Sequence, residues 1–262
     1  MNLTNKQQRW TKELEELWNF FEARLKGYNL KTDDLRLKLL LALMVAAHRL
    51  IRGFIAQLKG GSNDNLQSKL RTLTEGFINV KYILSGENDF RAKAFILDSK
   101  KMRVRTLDKI IMLMEQEKAP SMAAINSLES YKELRESLKQ EVSEDENRLG
   151  EKNAKWPSTE QRAKIAGLEE YYPTVFYFFS QDNHMSVDGL FRFLKEVNGV
   201  TVFTTELDLS DLDQEIQSAY VYYLQFILQN CPQMYVTPSR FYNNSPLQFT
   251  IGTNRSEPRV AE

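Results

Sequence analysis

The sequence predicts an all-α fold, a bundle of about seven to nine helices, because segment after segment carries apolar residues at steps of three and four. Two further observations agree. The segments are separated by short turn signals such as Gly60-Gly-Ser-Asn-Asp64. There is also no strand–helix alternation of the βαβ kind and no internal repeat of solenoid period. The chain has 262 residues, 42 % of them hydrophobic, which suits a real core and excludes a disordered chain.

Trp10, Leu14, Leu17, Phe20, Phe21 and Leu25 predict an amphipathic helix over 4–27, ended by Gly27 and Asn29. Caps at Thr32-Asp-Asp34 open a second helix over 33–59. Its middle, Leu39–Ala47, is apolar on every side and predicts a central, enclosed helix. That run is shorter than the roughly 20 residues a membrane span needs. Met1–Glu13 is mostly polar and does not read as a signal peptide. A soluble, cytoplasmic chain with no membrane partner is therefore expected.

Leu66, Leu70, Leu73, Phe77, Val80 and Leu84 form one apolar stripe of a third helix, closed by Ser85-Gly86. A fourth helix from about Asp89 to Glu117 is rich in Arg and Lys and stops at Pro120. The stretch 121–152 is highly charged and has few large apolar residues after Leu138. It predicts a solvated helix or projecting arm, a candidate for binding a protein partner. Trp156-Pro157 forms a loop, and Ser158 or Thr159 caps a short helix to about Leu168. Tyr171–Phe179 is the most aromatic segment. Gly199–Thr205 is β-branched and predicts a brief extended piece. Leu212–Leu228 predicts a late helix with Ile216, Tyr220, Tyr223 and Ile227 on one side. The organisation expected is one helical domain over 1–236 with the arm at 121–152, then a loosely ordered polar tail over 237–262.

Composition narrows function mainly by exclusion. Lys+Arg and Asp+Glu balance at 35 each, so the chain as a whole exerts no pull on nucleic acid or anionic membrane. The one cysteine, Cys231, excludes an internal disulfide. Gly60-Gly61 lacks the Lys-Ser/Thr of a phosphate-binding loop, and no zinc or helix-turn-helix pattern occurs. Only His48 and His184 are available as imidazole ligands, in neither a His-x-x-x-His nor a Glu-x-x-His pattern, so neither a metal nor a cofactor is expected.

Two segments stand out as halves of one polar cluster. On the third helix Arg71, Glu75, Ile78 and Tyr82 lie along one line, about 100° from the apolar stripe. Arg71 and Glu75 are four apart, in the order that is weaker for an exposed pair, so stability is a poor reason for the arrangement. On the late aromatic segment Tyr177, Ser180 and His184 share a helical face, with Asp182 and Asn183 beside His184. His184 is the side chain most easily tuned near neutral pH. Ser180 lacks a glycine-rich nucleophile turn and an oxyanion hole, which argues against a serine nucleophile. His48 and Arg52 form a further pair on the apolar second helix, where a charge needs a partner. The candidate catalytic residues are thus His184, Arg71, Glu75 and Ser180, with Tyr82, Tyr177, Asn183 and His48 as candidate substrate-binding groups. The bland alternative is a boundary salt bridge and a hydrogen-bonded core histidine.

The run Arg71–Leu84, then Arg91-Ala92, then the Trp156 loop, then Tyr172–His184, resembles a group of uncharacterised bacterial all-helical proteins. In that group an Arg-x-x-x-Glu helix precedes a Tyr-Arg-x-x-Ser-x-x-x-His helix. The group is distantly similar to HEPN domains, helical proteins that often act as metal-independent ribonucleases in bacterial defence, usually in a dimer cleft. The resemblance implies RNA as a substrate, His184 as acid or base, and a homodimer. The Arg of the HEPN motif falls within 177–179, which here reads Tyr-Phe-Phe, so Arg71 would have to replace it. Two functions follow as expectations: a HEPN-like protein of defence or stress acting on RNA, or a non-catalytic interaction subunit that binds a partner through 121–152.

Overall fold

A computed structural model describes residues 3–25, 33–60, 66–86, 88–116, 121–151, 153–170, 172, 194–197, 200–203 and 212–230. The fold is all-α. Seven helices lie among the described residues: α1 (Asn5–Leu25), α2 (Leu35–Gly60), α3 (Leu66–Leu84), α4 (Phe90–Glu115), α5 (Met122–Leu149), α6 (Thr159–Ile165) and α7 (Leu212–Asn230). The extended piece expected near 199–205 is β2 (Val200–Phe203). It pairs antiparallel with β1 (Leu194–Val197), Leu194 facing Phe203 and Val197 facing Val200.

Helices α1, α2, α3 and α7 pack together and hold the core. Their apolar residues recur every three or four positions, so each helix can bury one face. Leu14, Leu17, Phe21, Met44, Ile51, Phe54, Leu66, Leu70, Ile216, Tyr220 and Tyr223 are almost wholly enclosed. Burial of each large apolar side chain favours folding by about 1.5–3 kcal/mol. Helix α2 runs antiparallel to its neighbours: Lys59 meets Glu15 of α1, Lys69 of α3 meets Gln57, and Arg36 donates to the Leu84 carbonyl. Helix α7 lies along α1, with Lys6 paired to Asp213 and Phe21 edge-on to Tyr223.

Three expectations for these helices need correction. Helix α2 is not enclosed: Leu40, Met44, Ala47, His48, Ile51, Phe54, Ile55 and Leu58 are buried, while Ala42, Val45, Ala46, Arg49, Arg52 and Ala56 are exposed. Small residues made the outer side look apolar, and Arg52 needs no buried partner because it faces outward. The run Leu39–Ala47 also understates the helix. Leu35–Gly60 carries an 18-residue window of mean hydropathy 1.8, long and apolar enough by length and composition to cross a membrane; 39 % of that window is buried in the protein. On α3, Ile78 and Tyr82 are buried along with most of the stripe, so the helix packs on two sides and opens along a flank that includes Arg71, Thr72 and Glu75.

Helix α5 is capped by Ser121, whose side chain accepts from the Ala124 amide, and it packs along α4. Ion pairs lace the seam: Lys100–Asp145 at 2.7 Å, Lys101–Glu146 at 2.6 Å, Lys132–Glu115 at 3.1 Å and Arg135–Asp108 at 3.6 Å. Their order fixes an antiparallel hairpin. Leu97, Leu149 and Ala154, with Val142 against them, form a small core of its own. The expected tail at 237–262 lies outside the described residues, as do residues 61–64 of the expected turn.

Candidate functional site

The exposed flank of α3 is where the sequence placed a site, and it is built jointly with α6. Ser158 caps α6 in a reciprocal box with Gln161: its hydroxyl accepts from the Gln161 amide, and the Gln161 side chain accepts from the Ser158 amide. The box fixes the first turn and sets Arg162 facing α3. Arg162 is buried. It donates to the Pro157 carbonyl at 2.5 Å, to Thr159 Oγ1 at 2.9 Å and to Glu75 Oε1 at 3.3 Å. Its guanidinium also lies over the Trp156 ring, 4.9 Å from the centroid. Burial pushes the Arg162 guanidinium below its ordinary value, opposed by Glu75, Asp98, Tyr82 and Tyr172. Among the described residues its Nε has no hydrogen-bond partner.

Aromatic rings extend the cluster. Trp156 is edge-on to Tyr82 at 5.1 Å and to Phe95 at 5.0 Å. Arg91 lies over Tyr82 at 4.4 Å, donates to the Tyr82 carbonyl at 2.7 Å, and also reaches Ser85 Oγ. Tyr82 is therefore a buried packing residue with an arginine on its face. Tyr172 belongs to the same neighbourhood. Burial raises its phenol above the ordinary range, Glu160 and Glu75 add to that, and Arg71 and Arg162 oppose it. Arg71 and Glu75 are half-buried, and the Glu75 side chain keeps 43 % exposure, so this is the cluster's open edge.

His48 sits in a second cluster. Its partners come from α1 and α7: Nε2 lies 2.7 Å from Glu22 Oε2 and Nδ1 lies 2.5 Å from the Tyr223 hydroxyl. Trp18 stacks on the imidazole at 4.7 Å and 7°, and its indole N–H donates to the His48 carbonyl at 3.1 Å. Burial, with Glu22 adding, drives the Tyr223 phenol far above its ordinary range, so it stays protonated and donates to Nδ1. The imidazole then carries its proton on Nε2 and donates to Glu22. Burial also lowers the His48 pKa, against the opposing pull of Glu22. The relay Tyr223→His48→Glu22 starts at the fully enclosed Tyr223 and ends at Glu22, whose side chain keeps 29 % exposure. It ties three helices together.

The structure thus brings Arg71, Glu75 and Tyr82 to one side of α3 and seats His48 among residues of α1 and α7. Ser180, His184, Tyr177 and Asn183 lie outside the described residues. Sequence reading missed Arg162, Trp156, Glu22 and Tyr223. Arg162 was within reach: Ser158-x-x-Gln161 is a capping-box signature, and it sets the next residue one turn into the helix. Glu22 and Tyr223 sit on ordinary amphipathic helices and gave no signal. Among the described residues no group of three or more His, Cys, Asp or Glu converges to hold a metal.

A family model described as a family of unknown function, DUF5677, matches residues 37–201, which span α2 to β2 and include both halves of the expected cluster. The chain belongs to that family. No curated protein and no solved structure matches it.

Proposed function

We propose that this DUF5677 chain is a HEPN-like helical protein that acts on RNA, working in the bacterial cytoplasm in defence or stress, with its reacting groups gathered where α3 meets the segment 172–184. The observation that supports this is Tyr172. It feels the charges of Arg71, Glu75 and Arg162, so Tyr172 stands beside the open edge of α3. A carboxylate anchored by a buried guanidinium, a second guanidinium and a phenol, partly open to water, is a composition suited to holding a phosphodiester and moving a proton.

In this reading the ribose 2′-oxygen attacks the adjacent phosphorus while the bond from phosphorus to the 5′-oxygen breaks. Glu75 takes the 2′-hydroxyl proton and His184 protonates the departing 5′-oxygen. Arg71 offsets the charge that develops on the phosphorane and supplies the cation that HEPN proteins carry next to their histidine. Tyr177, Ser180 and Asn183 orient the strand. No metal takes part.

The test is cleavage of a single-stranded RNA by the purified chain. Arg71→Ala and His184→Ala abolish cleavage with the melting temperature nearly unchanged. No cleavage by the wild-type chain, or equal cleavage by all three proteins, overturns the reading. A second reading is favoured by the exposed Met112, Leu113 and Met122 on α4 and α5: a non-catalytic interaction subunit, in which the Glu75–Arg162 pair simply clamps α6 to α3.

A further inference from the structure

The outward face of the distal half of α4 is apolar and basic at once. Met102, Met112 and Leu113 are 58, 51 and 63 % exposed. Isolated exposed apolar residues are ordinary, but a cluster on one stretch of helix marks an interaction surface. Methionine suits such a surface because its unbranched chain adapts to a partner. Helical periodicity sets Lys109 opposite the buried Leu107 and Ile111, with Met102, Arg105, Met112, Leu113 and Gln116 within about 60° of the same line.

Charge on this stretch is sorted by side. Between Ser99 and Gln116 the carboxylates are Asp108 and Glu115. Both face the seam with α5, Asp108 beside Arg135 and Lys139, and Glu115 on Lys132. Lys100 and Lys101 are answered by α5 in the same way, through Glu141, Asp145 and Glu146. Arg105 and Lys109 are exposed and make no ion pair among the described residues. They stand one turn apart in the middle of the outward face, whose charge is therefore positive and unanswered.

We propose that this face docks an acidic amphipathic helix of another protein, one that carries two carboxylates a turn apart with large apolar residues on either side of them. The carboxylates meet Arg105 and Lys109, and the apolar residues cover Met102, Met112 and Leu113. A nucleic acid satisfies the two cations but leaves three large apolar side chains against hydrated phosphates. A bilayer surface suits a helix whose cations stand apart from its apolar stripe. Here the two are interleaved, so seating the methionines in lipid carries Arg105 and Lys109 toward the acyl chains. The proposal rests on the interaction reading, names a partner for it and moves the contact from the α5 arm to α4. It uses no residue of the α3 flank, so it stands apart from the outcome of the RNA-cleavage test.

The test is selection of helical peptides, from a displayed library with randomised surface positions, against the purified full chain, followed by fluorescence anisotropy with the selected peptides. They are expected to share two Asp or Glu residues four apart, flanked by Leu, Met or Phe. R105E/K109E should weaken their binding by about tenfold or more, because two attractive contacts become two repulsive ones. Exchanging the two carboxylates of a peptide for lysines should restore its binding to R105E/K109E. M112S/L113S should weaken binding without changing its salt dependence. If R105E/K109E fails to fold, as judged by circular dichroism, R105Q/K109Q replaces it and should also weaken binding. Selected peptides that lack the pair of carboxylates overturn the proposal. So does a single-stranded RNA or a phosphatidylglycerol vesicle that binds more tightly than the peptides and is released by R105E/K109E, or self-association of the chain that the same variant abolishes. Peptides that bind both proteins equally overturn this partner and leave the interaction reading standing.

Discussion

Replacing Arg162 by methionine separates the two halves of the α3–α6 pair. The guanidinium side is 5 % exposed and the Glu75 side 43 %, so the two partners stand in different media. Arg162→Met keeps most of the stem but removes the donors to the Pro157 carbonyl and Thr159 Oγ1. Losing hydrogen bonds from a charged donor to these half-buried acceptors costs about 1.5–3 kcal/mol. Losing the cation over Trp156 adds roughly 0.5–1 kcal/mol. The freed Glu75 carboxylate turns to water and contributes at most about 1 kcal/mol, as an exposed pair does. Methionine packing against Trp156 offsets part of this. The expected loss is therefore about 2–4 kcal/mol, read from urea unfolding as a lower midpoint at unchanged slope.

The mirror experiment is Glu75→Gln. The amide oxygen still accepts from Arg162, and the remaining cation keeps its other two acceptors, so the loss should stay below about 1 kcal/mol. The asymmetry is the prediction. If Arg162→Met costs under about 0.5 kcal/mol, or if Glu75→Gln costs as much as Arg162→Met, the cluster is not held by a buried guanidinium and the reasoning fails.

Other perturbations test the remaining elements. His48 is held below its ordinary value of 6.5 mainly by burial, with Glu22 opposing and Arg52 assisting; its other close partner, Tyr223, stays protonated. Between the lowered folded value and 6.5 the unfolded chain binds more protons, so stability rises with pH there. His48 should therefore destabilise the fold as pH falls below 6.5, and urea midpoints across that window should flatten in His48→Gln; equal slopes in both proteins would remove His48 as the cause. Hydrogen exchange should find α5 less protected than α3, because α5 buries Leu138 and Leu149 alone among its large side chains whereas α3 is enclosed on two sides. Equal protection across 139–151 and 66–84 would make α5 part of the core.

The fold class was legible because periodicity survives tertiary context. The stripes Leu66–Val80 and Ile216–Ile227 are buried as their spacing required. What was misread on α2 and α3 has one cause. A helical pattern shows which positions are apolar but not how many neighbours cover them. Alanines at 42 and 46 read as core and face water, while Ile78 and Tyr82 read as a flank and are core. The polar clusters were half legible for a related reason. Arg71, Glu75 and His48 announced themselves as polar groups beside apolar ones. Their partners Arg162, Glu22 and Tyr223 are 87, 26 and 175 residues away, and nothing local marks such pairings.

The basic look of α4 is where counting charges misleads most. Arg91, Lys93, Lys100 and Lys101 are among the residues that give the helix its basic look. In the structure Lys93 meets Asp89, Lys100 meets both Glu141 and Asp145, and Lys101 meets Glu146. Arg91 is turned onto Tyr82 and Ser85. The two carboxylates hold the Lys100 ammonium above its ordinary value, so it stays charged but is already answered. The acidic residues that gave α5 the look of a solvated arm are thus the counter-charges of α4, and the two helices form one laced unit. Among the described residues the exposed α4 cations left without an ion pair are Arg103, Arg105 and Lys109.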